Sequence, residues 1–392
     1  MPIDPLPATA APGDAAAFRA ADRRDGTGPT DAPDAFQRRL DELVEIGFPA
    51  ALGTRTTTPG DHESRASGVA DLATGRPARP DETVRIASNT KMFTAVVVLQ
   101  LVDEGRVRLD EPVEEHLPGL LRGEGIDGAR ITVRNLLQQT SGLPDYVGDL
   151  LAESSGFWRD IPPRDLLDLA LGHPAAFAPG ERWGYSNTNY VVLGLLVERV
   201  TGGRLEDEVT RRVVERLGLE RTRMPRGGER GIPEPRPSGY HVGADGGLED
   251  WTGADPSSSW AAGSVLSTPA ELNLFMQALL RGELTSAASL EEMMTTVPAD
   301  ETFWPGVRYG LGLQEYPLSD GGVAWGHGGD FPGYQSRNAV REDGRAVTIV
   351  VTALPPAVID PTDVEALMGG YRAVTAALDE ALCAGPAAPL AG

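Results

Sequence analysis

Residues 90–104, Thr-Lys-Met-Phe-Thr-Ala-Val-Val-Val-Leu-Gln-Leu-Val-Asp-Glu, constrain this chain more than any other stretch. They predict a helix, stopped at Gly105, that carries Met92, Phe93, Val96, Val97, Val98, Leu99, Leu101 and Val102 around nearly its whole circumference. A surface helix shows one apolar stripe, so a helix apolar on every side has to lie in the centre of the protein. With 392 residues, 41% of them hydrophobic, the chain has material for the sizeable core this demands. In the first turn of that helix stands Lys91, the only lysine among 35 basic residues. The other bases are arginine, which cannot lose its proton at biological pH, whereas a buried lysine can be tuned into a base. So strong a drift to arginine leaves a lysine where arginine cannot serve, unless its survival is chance.

Around this helix the chain divides by pattern. Residues 1–35 are rich in Ala, Asp, Pro, Gly and Thr without periodicity and read as a disordered tail. An amphipathic helix is predicted over 34–46 and strands over 50–56 and 64–71. The middle of the chain reads as helices (133–139, 163–171, 190–201, 205–216) and loops. Strands return over 309–316, 323–327, 334–341 and 345–353, before a last helix over 362–383. Strands at both ends around a helical middle predict an α/β domain from 36–112 and 265–388, with an all-α domain inserted at 113–264.

Composition excludes several functions. A formal charge of -22 repels phosphate backbones and anionic lipid, so neither nucleic acid nor a membrane surface is an expected partner. The single cysteine, Cys383, makes no internal disulfide, and the five histidines show no metal-ligand spacing. No cofactor or metal is expected. The first residues lack a basic segment followed by an apolar one, which predicts a cytoplasmic protein. A GxGxxG match at 123–128 follows no strand and opens no nucleotide-binding helix.

Three motifs can carry chemistry. Ser88-Asn89-Thr90-Lys91 reads S-x-x-K at the entry of the buried helix. Residues three apart share a helix face, so the amine can reach the hydroxyl, and the helix N-terminus favours a developing alkoxide. Ser88 as a mere N-cap is the structural alternative. Tyr185-Ser186-Asn187 precedes another apolar run. Two apart in an extended segment, Tyr185 and Asn187 point the same way, a phenol to shuttle a proton and an amide to hold the lysine or a carbonyl. Trp325-Gly326-His327-Gly328-Gly329-Asp330 closes a strand, where backbone N–H groups can face an oxyanion, or else forms a glycine-rich turn with a surface histidine.

In this order the motifs resemble the family of class C β-lactamases, serine D-Ala-D-Ala carboxypeptidases and their esterase relatives. The likeness runs over about residues 38–385 and is nearest to the actinobacterial carboxypeptidases. Residues 68–75, 95–105, 117–121, 185–189 and 309–313 also carry it. The resemblance implies a β-lactamase-like antiparallel sheet flanked by helices. It makes Ser88 the nucleophile, Lys91 its base or proton relay, Tyr185 the general acid/base and Asn187 a positioner. His327 would hydrogen-bond to the region of the catalytic tyrosine. The backbone N–H groups of Ser88 and Asp330 would form the oxyanion hole. Trp260 would line the substrate cleft, with Tyr146, Gln314, Gly328 and Gly329 also at the substrate.

Departures from the family limit the substrate. Its carboxypeptidases place an arginine where Gln314 stands and threonines where Gly328 and Asp330 stand. Losing a charge-assisted pair costs about 1.5–3 kcal/mol, and the added carboxylate repels a substrate carboxylate. Poor trimming of D-Ala-D-Ala is therefore expected. The relatives' second cysteine is replaced by Asp320, in keeping with a reducing compartment. The expected activity is a serine hydrolase or acyltransferase that takes an ester, lactone, amide or peptidyl donor onto Ser88 and resolves it with water, an amine or an alcohol. A transacylase of natural-product assembly, a D-Ala-D-Ala carboxypeptidase or β-lactamase, and an inactive binding or sensor protein are the alternatives.

Overall fold

The computed structural model describes residues 34–58, 61–243 and 245–384. All but the last two residues of the tail expected over 1–35 lie outside them. The frame is a nine-stranded antiparallel sheet. Its strands are β1 (Ala50–Thr58), β2 (Asp61–Asp71), β3 (Arg76–Pro77), β4 (Val297–Pro298), β5 (Arg308–Tyr309), β6 (Gln314–Pro317), β7 (Val323–Phe331), β8 (Tyr334–Arg341) and β9 (Ala346–Val351). They lie in the order β4-β5-β6-β7-β8-β9-β1-β2-β3.

Both faces of the sheet are covered, and β9 shows how. Alternate side chains of a strand point to opposite faces. Val347, Ile349 and Val351 enter one apolar cluster, with Phe36, Leu40 and Leu43 of α1 (Ala35–Ile46) and Val374, Leu378 and Leu382 of the C-terminal helix Val364–Cys383. Ala346 and Val350 enter the other cluster. There the buried helix α2 (Thr90–Asp103) packs through Phe93 onto Phe275 of the helix Pro269–Leu280, ring centroids 3.9 Å apart. Every residue of α2 from Thr90 to Leu101 is buried, as its composition demands. The same cluster continues without a break into Leu193, Leu196 and Val197 of α3 (Asn187–Thr201).

Three expectations are corrected. The middle segment is not purely helical, because Arg122–Gly123 pairs with Ile126–Asp127 and Tyr240–Val242 with Leu248–Asp250. Gly125 and Gly246 turn these two hairpins at φ +73° and +82°, a region open to glycine. The strand expected over 309–316 folds back on itself, β5 pairing antiparallel with β6, because residues 310–313 make a tight turn in which the Gly310 N–H donates to the Leu313 carbonyl at 2.7 Å and Gly312 takes φ +78°. The strand expected to end at 327 runs on to Phe331. Its glycines mark close approach of other chain segments rather than a turn.

Candidate active site

Ser88 lies in a single 3-10 turn, Ala87–Asn89, that leads directly into α2. Ala87 is buried at φ +47°, a left-handed conformation that costs a non-glycine residue of order 1–3 kcal/mol and must be held by its surroundings. The restraint is visible. The Ile86 carbonyl accepts from Asn89 Nδ2 at 3.0 Å and from Ser336 Oγ at 2.9 Å, and Asn89 Nδ2 also reaches Ser336 Oγ at 2.8 Å. Ser336 on β8 lies opposite Gly329 on β7. A Cβ on Gly329 would stand 2.3 Å from the Ile86 oxygen, so glycine is what lets β7 lie against the serine turn.

The Lys91 amine is fully buried and has three partners: Asn187 Oδ1 at 2.7 Å, the Ala262 carbonyl at 2.9 Å and Ser88 Oγ at 3.1 Å. Burial lowers its pKa to about 7, opposed by the nearby Asp145 carboxylate. A neutral amine has two N–H groups and one lone pair. Asn187 Oδ1 and Ala262 O can only accept, so they take both N–H groups and leave the lone pair for the Ser88 hydroxyl.

Tyr185 is half-buried and lines the same cleft as Ser88, with Lys91 Nζ 4.8 Å from its ring centroid. Desolvation raises its pKa well above the ordinary phenol value, so it remains a proton donor at neutral pH. Asn187 opens α3 and donates through Nδ2 to Asp145 Oδ2 at 2.9 Å. Sequence reasoning missed Asp145. It is 42 positions from Asn187, and no spacing signals it.

The third motif differs from expectation. His327 is buried in β7, not on the surface. Its hydrogen bond is to Tyr309, Nε2 to hydroxyl at 3.0 Å, and not to Tyr185, whose ring centroid is 6.3 Å away. Its Nδ1 meets the Gly328 carbonyl at 2.5 Å, which makes Nδ1 the protonated nitrogen and Nε2 the acceptor. Burial first, then Lys91, lowers its pKa to about 3, so the ring is neutral across the working range. Asp330 does not stand alone, because Arg337 Nη1 lies 2.9 Å from its Oδ1 and Gln335 Nε2 donates to the same oxygen at 3.0 Å. Arg337 therefore weakens the repulsive field expected of Asp330 without enclosing its carboxylate, which stays partly exposed. Arg337 was also missed. It lies opposite Gly328 across the β7–β8 ladder, a register that motif spacing does not disclose.

These side chains meet in a cleft of about 580 Å³. Ser88, Tyr146, Gln314, Gly328, Asp330 and Arg337 all line it. Gln314 Oε1 accepts from the Gly328 N–H at 3.1 Å and from the Tyr316 hydroxyl, which leaves its NH2 as the free donor. The Tyr146 hydroxyl is spent on the Ser258 carbonyl at 3.0 Å, so this residue contributes only its ring. Trp260 is not in the wall. Its indole packs on Gly194 of α3 and donates to Glu206 at 2.9 Å, while Ser258, Ser259, Ala262 and Gly263 around it face the cleft. A second groove, of about 810 Å³, meets the cleft at Trp183, Tyr185 and Asp300. Among the described residues, no cluster of three His, Cys, Asp or Glu is arranged for a metal, and no helix is long and apolar enough to cross a membrane.

Comparison with known proteins identifies the family. The Beta-lactamase family model matches residues 37–368. A D-stereospecific amidohydrolase from a Streptomyces species is 35% identical with a TM-score of 0.76, over 85% of this chain and 99% of that one. The D-amino acid amidase from Ochrobactrum anthropi SV3, solved with L-phenylalanine amide, is 28% identical with a TM-score of 0.77, over 89% and 97% of the two chains. Penicillin-binding protein 4* of Bacillus subtilis is 29% identical over 69% of this chain, and the match spans 60% of its own length. The chain belongs to the beta-lactamase family and is an enzyme of the serine-hydrolase type.

Proposed function

We propose that the enzyme forms an acyl-enzyme at Ser88 from amides or esters of single amino acids, with the free ammonium group of the acyl part read by Asp330. The observation that carries the chemistry is the partner set of Lys91, two acceptors and one hydroxyl, which aims a lone pair at Ser88. In the proposed cycle Lys91 takes the serine proton as Oγ attacks the carbonyl. The backbone N–H groups of Ser88 and Asp330 receive the oxyanion. Tyr185 gives its proton to the departing amine or alcohol and is reprotonated from Lys91. Water, or a second amine, then reverses these steps at the ester.

The substrate class rests on two supports. Asp330 presents a carboxylate, 40% exposed, in a cleft whose apolar wall includes Leu150, Phe157, Phe303 and Trp304. That pairing suits an ammonium beside an aromatic or large aliphatic side chain. The two structural relatives are named for D-amino acid amides and D-stereospecific amide hydrolysis, which favours the D-series. The groove beyond Tyr185 gives room on the leaving-group side for an acceptor larger than water, and supports acyl transfer to an amine as a second reading.

Intact-mass spectrometry after acid quench with an activated ester of D-phenylalanine tests this. One acyl adduct is expected, absent from Ser88→Ala. An adduct that persists in Ser88→Ala refutes the nucleophile, and faster release of D-alanine from a D-Ala-D-Ala peptide than of ammonia from D-phenylalanine amide refutes the substrate class.

A further inference from the structure

We infer that Asp145 is a positioning residue that fixes which end of the Asn187 carboxamide faces Lys91, and through it the direction of the Lys91 lone pair. The inference rests on the acyl-enzyme reading above and adds to it a residue that touches neither substrate nor Ser88.

The Asn187 carboxamide has an accepting and a donating end, and nothing in its shape decides which meets Lys91. If its NH2 faced the lysine, it would compete with Ser88 for the only lone pair, and the base would be turned off its target. A carboxylate only accepts. Asp145 Oδ2 takes Asn187 Nδ2–H at 2.9 Å and Oδ1 takes the Val147 N–H at 3.2 Å. With both oxygens engaged by donors, the Asn187 NH2 is held at Asp145 and Oδ1 is held 2.7 Å from Lys91.

The charge acts in the same direction. Asp145 is the one acid that raises the Lys91 pKa against the effect of burial. Burial lifts the Asp145 carboxyl above the usual carboxylate range, and bonds from Val147 and Asn187 together with the charge of Lys91 oppose that. The other groups facing the pair are Ser88, Tyr185, Tyr190 and His327 on the lysine side and Tyr146 on the aspartate side. The tyrosines have raised pKa values and the histidine is neutral, so none supplies a competing charge near neutral pH.

Asp145→Asn is nearly isosteric, yet it replaces one accepting oxygen by a donor. The Val147 backbone N–H claims the remaining oxygen, so the new NH2 meets Asn187 and reverses it. The exchange Asp145→Asn/Asn187→Asp restores an acceptor to Lys91 by putting the carboxylate at 187 and the amide at 145. Two readouts separate the roles. Because the chain has one lysine, ε-13C-lysine labelling gives a single side-chain resonance whose pH midpoint reports Lys91 directly. Stopped-flow acylation at high pH, where the amine is neutral in every variant, reports lone-pair direction. In Asp145→Asn the midpoint is expected to fall by about one pH unit, with acylation about 100-fold slower and KM within twofold. In the exchanged pair the midpoint is expected above that of the unaltered protein, with at least about a tenfold recovery of acylation. An unchanged lysine midpoint in both variants, or a loss of rate that the exchange does not restore, overturns the inference. No acyl adduct in the unaltered protein, with a midpoint that still moves in Asp145→Asn, overturns the reading of the reaction instead.

Discussion

The Lys91 amine lies 3.1 Å from the Ser88 hydroxyl, and of its three partners that hydroxyl is the one able to donate to it. The pair is therefore a base and its proton only when the amine is neutral. With burial lowering the Lys91 pKa to about 7, kcat/KM is expected to rise with pH along one acidic limb centred near that value. His327, held to about 3, contributes no limb between pH 5 and 9. A pH–rate profile of His327→Gln should show a lower plateau with the limb in the same place.

The same burial costs stability in a pH-dependent way. The folded pKa of Lys91 is depressed below that of the unfolded chain, so between about 7 and 10.5 the unfolded state binds the extra proton. Stability due to this group thus rises with pH through that window and is lowest below pH 7. Lys91→Met should abolish activity yet unfold at a higher temperature than the unaltered protein at pH 6. The gap, worth a few kcal/mol, should narrow steadily toward pH 10, as read by parallel thermal melts.

A side chain at Gly329 is expected to push the serine turn out of place. A Cβ there meets the Ile86 oxygen at 2.3 Å and Ser336 Oγ at 2.6 Å, both fixed by the clasp that holds the serine turn. Gly329→Ala should lower kcat by about 100-fold while costing only about 1–3 kcal/mol of stability. Calorimetry and steady-state kinetics on the same preparation check the contrast.

Asp330 is expected to choose the substrate's charge. Asp330→Asn removes the carboxylate but leaves a polar group for Arg337. The preference for D-phenylalanine amide over its N-acetyl derivative should fall by about 10- to 100-fold, the worth of one charge-assisted hydrogen bond. The ratio of kcat/KM values for the two compounds measures it, and an unchanged ratio removes Asp330 from substrate recognition.

Part of this site was legible in the chain itself. The apolar circumference of α2 placed Ser88 and Lys91 at a buried helix entry, and the lone lysine marked its own chemistry. Tyr185 and Asn187 followed from their place before a second apolar helix. What stayed hidden depends on contacts between distant segments. Asp145 reaches Asn187 from a loop 42 positions away, and Arg337 reaches Asp330 across a strand register. Neither contact has a periodicity to betray it. Trp260 has the character of a cleft aromatic, but Gly194 on α3 opens a slot behind the wall that its indole fills. The glycines of β7 read as a strand end because a glycine that permits close approach and a glycine that permits a turn look alike in sequence.

The central claim is that Lys91 is a neutral amine aimed at Ser88, and the single lysine makes it directly measurable. Titration of the ε-13C-lysine resonance should give one midpoint near 7, coincident with the acidic limb of acylation. A resonance that titrates only near the ordinary lysine value of 10.5, in a protein already active at neutral pH, would contradict the account.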